Sequence, residues 1–398
     1  MKLKRMRVFT RAGETSSTAE TNSFCWDLAD KLALRLSDAH PVRGLVLSRS
    51  IKALLAHDPA AEQNASDCYL VGQIRSLFSK RKDLDLGVDR EAAALAAFMD
   101  AERLCSETRD IFRMRDEGKF CFYPRVAAVL HSAQRKISRI LGPVPSFSEL
   151  EYRFSNGATS CIKKQEATAA VKLSRPLACS VDLLPHAREI LGLCPGWSFG
   201  EIFPDDCVYH AVEKNWKTHR GITAEPTLNS FVQCGQGDYI RERLRRFGVD
   251  LQYGQALNKD AARRGSSTGA SATLDLSSAS DTVSKTIELD LLPFDWFLFL
   301  SSTRASIVRF PDGTRMVQEK FAGMGNGVTF PLETVIFYSL AKASAEAVGR
   351  GDEEVLCYGD DLIVPTEAYL LLTEVLTACG FKVNLTKSYS SGPFRESC

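Results

Sequence analysis

The sequence predicts an α+β protein whose last third folds as a split β-α-β-β-α-β unit. Three observations predict it. Residues 1–150 carry apolar positions at three- and four-residue spacing, as in Arg90 to Arg109 and Tyr123 to Leu141, the period of helices with one buried face. Gly142-Pro143 and Pro145 stop that pattern. From about residue 271 to 398, short β-rich runs alternate with clear helices. Residues 151–270 between them are mixed and richer in Gly, Pro and basic residues.

The last third reads element by element. Ala272-Thr-Leu-Asp-Leu276 alternates like a strand. A hairpin follows, turning at Pro311-Asp312-Gly313. A helix runs from about Leu332 to Val348 and stops at Gly349. Two short strands flank Gly359-Asp360 within VLCYGDDLIVP. Thr366 caps a second helix that ends at Gly380, and Phe381 to Leu385 forms a last strand. Setting the inserted hairpin aside, the order is the ferredoxin-like β-α-β-β-α-β pattern, in which the first strand lies beside the central hairpin.

That topology explains why two adjacent carboxylates sit between apolar runs. Asp275 ends the first strand, and Asp360 and Asp361 occupy the hairpin turn beside it. Carboxylates about 4 Å apart repel by roughly 4 kcal/mol at an effective dielectric near 20. Either they take up protons or a cation holds them. A hard-oxygen set without His or Cys suits two Mg²⁺ ions, or Mn²⁺, as used for phosphoryl transfer. Because adjacent strand residues face opposite ways, Asp360 is expected to be the main partner of Asp275, with Asp361 in support. Gly-Asp-Asp alone is also ordinary hairpin-turn chemistry.

Four further stretches carry two readings each. Asp281, in DLSSASD, either N-caps the following helix or hydrogen-bonds a nucleotide sugar. Gly323-Met-Gly-Asn-Gly327, which includes Gly325, is either a flexible loop or one that lets backbone approach a ligand. Asn326 within it can donate to and accept from a ribose 2′-OH. Lys214, Lys217 and Arg220 lie three apart, forming a charged face if helical or a channel wall for a triphosphate if extended. Lys387 follows the last strand and is either a surface lysine or a proton donor to leaving pyrophosphate.

Composition narrows the classes. Lys and Arg total 50 against 49 Asp and Glu, so net charge names no partner, although local basic clusters suit a nucleic-acid groove. The 12 cysteines form no Cys-x-x-Cys pair and no zinc-ligand spacing, as expected for reduced thiols in the cytoplasm. No signal peptide opens the chain, and no apolar run is long enough to span a membrane.

Taken together, DLSSASD, GMGNG followed by TFPLE, YGDD and GPFRESC resemble the RNA-dependent RNA polymerases of the single-stranded RNA bacteriophages, the levivirus replicases. RFSNGATS from Arg153 and the Lys214 to Pro226 segment extend the likeness upstream. The resemblance implies a right-hand polymerase acting in the cytoplasm of a bacterial host. Residues 271–398 would be the palm, 151–270 the fingers, and 1–150 a helical region bracing them. It implies that Asp275, Asp360 and Asp361 hold metal and that Lys214, Lys217 and Arg220 contact the triphosphate. Asp281, Gly325 and Asn326 would serve the nucleotide, and Lys387 would be the general acid. RNA template and product, nucleoside triphosphates and host elongation factors Tu and Ts would be the partners. The family continues past FRESC into a thumb, so the sequence reads as a C-terminally shortened fragment with the thumb largely missing. The alternatives are a reverse transcriptase, which would carry a bulky gate near its first Asp where this chain has Ser277 and Ser278, or an inactive fragment that only binds RNA.

Overall fold

A computed structural model of the chain describes residues 11–62, 64–197 and 201–397; the basic Met1–Arg7 stretch and Cys398 lie outside the described residues. The protein is a mixture of many helices and short strands. It forms two compact units, Met1–Ala94 with Glu213–Arg220, and Leu95–Val212 with Gly221–Cys398. Among the described residues no helix is long and apolar enough to cross a membrane, and the cysteines are free thiols.

The first unit is helical, with segments Arg11–Ala33, Pro41–Leu47, Ile51–Ala56 and Ala65–Ser79. Ala29, Val42, Val46, Leu54, Ile74 and Phe78 form its core, and Trp216 packs against it. Asn64 starts the last of these helices, its Oδ1 accepting the Asp67 N–H at 2.8 Å, which satisfies one of the unpaired donors of a helix start. Arg49 forks onto both oxygens of Asp30 at 2.7 and 2.8 Å and lies 4.8 Å over the Trp26 ring.

The second unit contains the predicted split motif. In chain order it comprises β1 (Ser271–Leu274), β2 (Leu276–Ser277), α1 (Thr329–Ala347), β3 (Leu356–Tyr358), β4 (Asp361–Pro365), α2 (Tyr369–Ala378) and β5 (Lys382–Val383). β4 pairs antiparallel with both β1 and β3, and β5 pairs antiparallel with β2. Asp275 interrupts the first strand between β1 and β2, so the strand ends one residue earlier than the sequence suggests. The last strand is also shorter than expected, because the chain beyond Val383 turns back to bond Asp275.

α1 is buried on almost every side, with Leu332, Val335, Ile336, Phe337, Leu340 and Ala341 in the main core. Helices of that kind are central supports rather than surface elements, and each large apolar side chain so buried contributes ~1.5–3 kcal/mol. α1 begins at Thr329, earlier than expected, with Pro331 in its first turn, where a missing N–H leaves no bond unmade. It packs on the helix Pro124–Leu141 through Val129, Ala133 and Ile137.

A second sheet orders His219–Ala224, Cys207–Glu213, Ile307–Arg309 and Arg315–Val317. The last two form the hairpin expected around Pro311-Asp312-Gly313, with Gly313 at φ 87°. The Lys214–Arg220 stretch is not a helix. Residues 214–218 are the turn between the first two strands of this sheet, where Asn215 Oδ1 accepts the N–H groups of Lys217 and Thr218 at 3.0 Å each, and Arg220 lies in the strand that follows.

Candidate active site

Tyr358 pairs with Asp361 across the hairpin, which leaves Gly359 and Asp360 as a two-residue turn. Such turns need positive φ, and Gly359 supplies 62°. Space demands glycine as well: a Cβ there would lie 2.6 Å from Phe330 Cε2 and 3.1 Å from Glu333 Oε1. The Gly359 N–H donates to Thr334 Oγ1 at 3.2 Å, so the turn is tied directly to α1.

The pairing Leu362 with Leu274 sets Asp361 level with Asp275, while Asp360 occupies the turn itself. All three aspartates are thus brought together from positions far apart in sequence. Burial pushes the Asp360 carboxyl up to about 6, and the charges of Asp361 and Asp275 add to the rise. Asp275 is also raised, first by burial, with Lys387 and Asn384 pulling the other way and Asp361 adding to the rise.

The segment after β5 wraps Asp275. Asn384 Nδ2 donates to its Oδ2 at 2.7 Å, Lys387 Nζ stands 3.6 Å from the same oxygen, and Ser388 Oγ accepts its N–H at 3.1 Å. Lys387 was expected near this site by resemblance. Asn384 was not, since nothing in NLTKS marks it apart from turn chemistry.

A fourth carboxylate, Glu333, is the last residue of TFPLE, a stretch that by itself assigns it no role. It projects from the second turn of α1, is 3% exposed and accepts Ser280 Oγ at 2.6 Å. Burial pushes it up to about 8, with the Asp360 and Asp281 charges adding to the rise. An acid within an apolar helix was the available signal, but sequence alone does not tell a buried position from an exposed one.

Asp281 does not cap a helix. It lies inside the short helix Ala279–Thr282, and the next helix is capped by Ser284, whose Oγ accepts the Ile287 N–H at 3.2 Å. Asp281 Oδ1 instead stands 3.0 Å from Nζ of the fully buried Lys320, which also lies 3.8 Å from Glu102 and 3.3 Å from the Phe98 ring centroid. The turn before Asp281 is held in an unusual backbone: Ser278 has φ 54°, rare for a residue with a Cβ.

The glycine loop packs tightly against its own chain. A Cβ on Gly325, whose φ is 118°, would lie 2.1 Å from the Thr223 carbonyl, and one on Gly327 would lie 2.8 Å from the Gln233 carbonyl carbon. Thr223 N–H donates to Met324 O at 2.9 Å. Asn326 donates to Glu225 at 3.3 Å and accepts the Val328 N–H at 2.9 Å. Its amide therefore already has an internal partner on each side. Glu225 is itself buried and pushed up to about 7 by burial, with Gln233, Ala305 and Asn326 bonds opposing the rise.

Lys214, Lys217 and Arg220 are exposed and belong to the first unit; the carboxylate site lies in the second. Among the described residues no three His, Cys, Asp or Glu side chains stand close enough together to hold a metal ion as placed. The donor set still fits a hard cation: oxygen ligands only, with ionisation opposed at Asp275 and Asp360 by burial and by neighbouring negative charge, which a cation would relieve.

Comparison with known proteins agrees with the motif order. Residues 23–398 match the family model described as RNA replicase, beta-chain. The chain is 38% identical over 327 residues to the RNA-directed RNA polymerase subunit beta of Escherichia virus Qbeta, covering 81% of this chain and 55% of that one. It is 32% identical over 397 residues to the RNA-directed RNA polymerase beta chain of Enterobacteria phage fr, and 31% over 396 residues to that of Escherichia phage MS2; each match covers 96% of this chain and 69% of the relative. The chain thus spans about half to two thirds of the length of these curated relatives. By motif order, strand topology and these matches, the chain belongs to the RNA replicase beta-chain family.

Proposed function

We infer that this chain carries the catalytic centre of a template-directed RNA polymerase, extending RNA from nucleoside triphosphates. The observation that carries the reading is the meeting of Asp275, Asp360 and Asp361 at one end of the β-α-β-β-α-β sheet, in a member of a replicase family. In this reading residues 271–398 are the palm of a right-hand polymerase, 151–270 the fingers and 1–150 their helical brace. RNA template, nucleoside triphosphates and host factors such as Tu and Ts would be its partners, in the cytoplasm of an infected bacterium.

Asp275, Asp360 and Asp361 would hold two Mg²⁺ or Mn²⁺ ions, which supply charge neutralisation and a more acidic 3′-hydroxyl when bound. The residues around them have separable tasks. Asn384 and Ser388 orient Asp275. Lys387, beside Asp275, would serve as the proton donor to the leaving pyrophosphate. Thr334 fixes the Gly359-Asp360 turn from α1. Lys214, Lys217 and Arg220, exposed and cationic, suit the triphosphate. Asp281 and Asn326 would serve the ribose, Asn326 by exchanging its Glu225 contact for the 2′-OH, with Gly325 keeping the loop against Thr223. Base pairing to the template would select the nucleotide.

RNA-templated incorporation with Mg²⁺ tests the reading, with ribonucleotides and deoxyribonucleotides offered separately and bacterial extract added in a parallel arm. Ribonucleotide incorporation is the expected result. Preference for deoxyribonucleotides would move the chain to reverse transcription. RNA binding without incorporation in either arm would leave a binding protein.

A further inference from the structure

Beside the Gly359-Asp360 turn lies an open cavity of about 630 Å³ lined by Arg241, Phe330, Tyr358, Asp238, Glu242 and Asp250, among others. Its size falls within the ~300–1,000 Å³ of small-ligand sites. Two aromatic rings face it. Phe330 and Tyr358 meet edge to face, their centroids 5.0 Å apart at 72°, and neither ring is fully buried. The Arg241 guanidinium lies 6.0 Å over Phe330.

Charge selects among occupants. Asp238 is paired with Arg153 at 2.9 Å, and Glu242 with Arg245 and Arg246 at 2.8 and 3.2 Å. Arg241 makes no ion pair among the described residues, and its cation is the one on the cavity wall left for a ligand. One unpaired cation matches the single charge of a phosphodiester and not the several charges of a triphosphate. Flat aromatic faces next to a single guanidinium are what an unpaired base and its phosphate require.

We propose that this cavity holds one nucleotide of a single-stranded RNA segment, its base against Phe330 and Tyr358 and its phosphate on Arg241. The proposal rests on the polymerase reading and deepens it. Tyr358 immediately precedes the turn, and the Phe330 ring touches Gly359, so a nucleotide seated here would lie against the same hairpin that presents Asp360. The site would grip the RNA strand rather than the incoming nucleotide.

Fluorescence anisotropy with a labelled oligoadenylate of about ten nucleotides tests this without catalysis. Arg241→Ala is expected to weaken binding about tenfold and to lower the slope of log Kd against log salt by about 0.7, one phosphate contact on a single strand. Arg241→Lys should restore the salt slope. Phe330→Leu should weaken binding about fivefold or more with the slope unchanged, because stacking carries no counterion. Arg241→Ala and Phe330→Leu proteins with wild-type melting curves that bind the RNA as wild type does would overturn the site while leaving the polymerase reading standing. Wild-type protein that binds no RNA at any salt concentration would overturn both.

Discussion

The carboxylate turn and the glycine loop look alike in sequence, each a short glycine-bearing stretch next to α1. They are built for opposite ends. At Gly359 the glycine keeps a side chain out of the way of Phe330 and Glu333, so that the turn can present Asp360 and Asp361. At Gly325 and Gly327 the missing side chains let backbone meet backbone, and the polar groups of the loop bond to the chain itself. One motif leaves its chemistry available to a ligand. The other turns its hydrogen-bonding groups onto its own chain, so a ligand must displace an internal bond such as Asn326 to Glu225.

Substitutions should expose that difference. The largest effect is expected at Gly325→Ala, where the new Cβ meets a carbonyl oxygen at 2.1 Å and φ is 118°. Backbone cannot swing aside as a side chain can, so the loss should exceed ~4 kcal/mol in urea unfolding. Lys320→Met comes next. It strands Asp281 and Glu102 without their shared cation, and removing one partner of a buried ionic cluster typically costs ~3–5 kcal/mol. A melting temperature unchanged by this substitution would mean that the cluster is solvated.

Gly359→Ala should be milder, ~1–3 kcal/mol, because the atom in the way is the edge of the Phe330 ring, which can rotate. Its effect on nucleotide incorporation should be much greater than its effect on stability, the reverse of Gly325→Ala. The smallest effect is expected for Glu333→Gln at low pH. Glu333 is raised to about 8, so the folded protein keeps a proton there that the unfolded chain releases near pH 4.5. Stability tied to that proton is present in acid and is lost as pH rises through about 8. The variant should match wild type within ~0.5 kcal/mol near pH 4.5 and gain on it steadily up to about pH 8, read by melting at each pH.

The same contrast shows what a sequence can disclose. Strand and helix order in the last third was legible because periodicity and glycine stops are local signals, and the β-α-β-β-α-β order was enough to bring residues 275 and 360–361 to one place. The registration of Asp361 opposite Asp275 was not legible, since it depends on where β1 stops, and β1 stops early because Asn384 and Ser388 bond to Asp275. Asp281 looked like a helix cap because the buried lysine that pairs with it is 39 positions away. Glu333 closes the TFPLE stretch and Asn384 follows the last strand, but neither position discloses what its side chain meets. Their importance comes from tertiary neighbours alone.

The central claim is that Asp275, Asp360 and Asp361 act as one electrostatic unit whose negative charge is kept for function at the expense of stability. Asp360→Asn tests it most directly when rate and stability are measured on the same preparation. RNA-templated incorporation should fall by roughly a thousandfold or more, ~4 kcal/mol in barrier. Stability should behave oppositely. Because Asp360 is raised to about 6, ionising it in the folded protein opposes folding, so wild type loses stability as pH climbs from about 4 through about 6, and the variant does not. Above pH 7 the variant should therefore be more stable by about 3 kcal/mol, converging with wild type near pH 4. A variant that incorporates nucleotides at the wild-type rate, or whose stability falls with pH in parallel with wild type, would contradict the account.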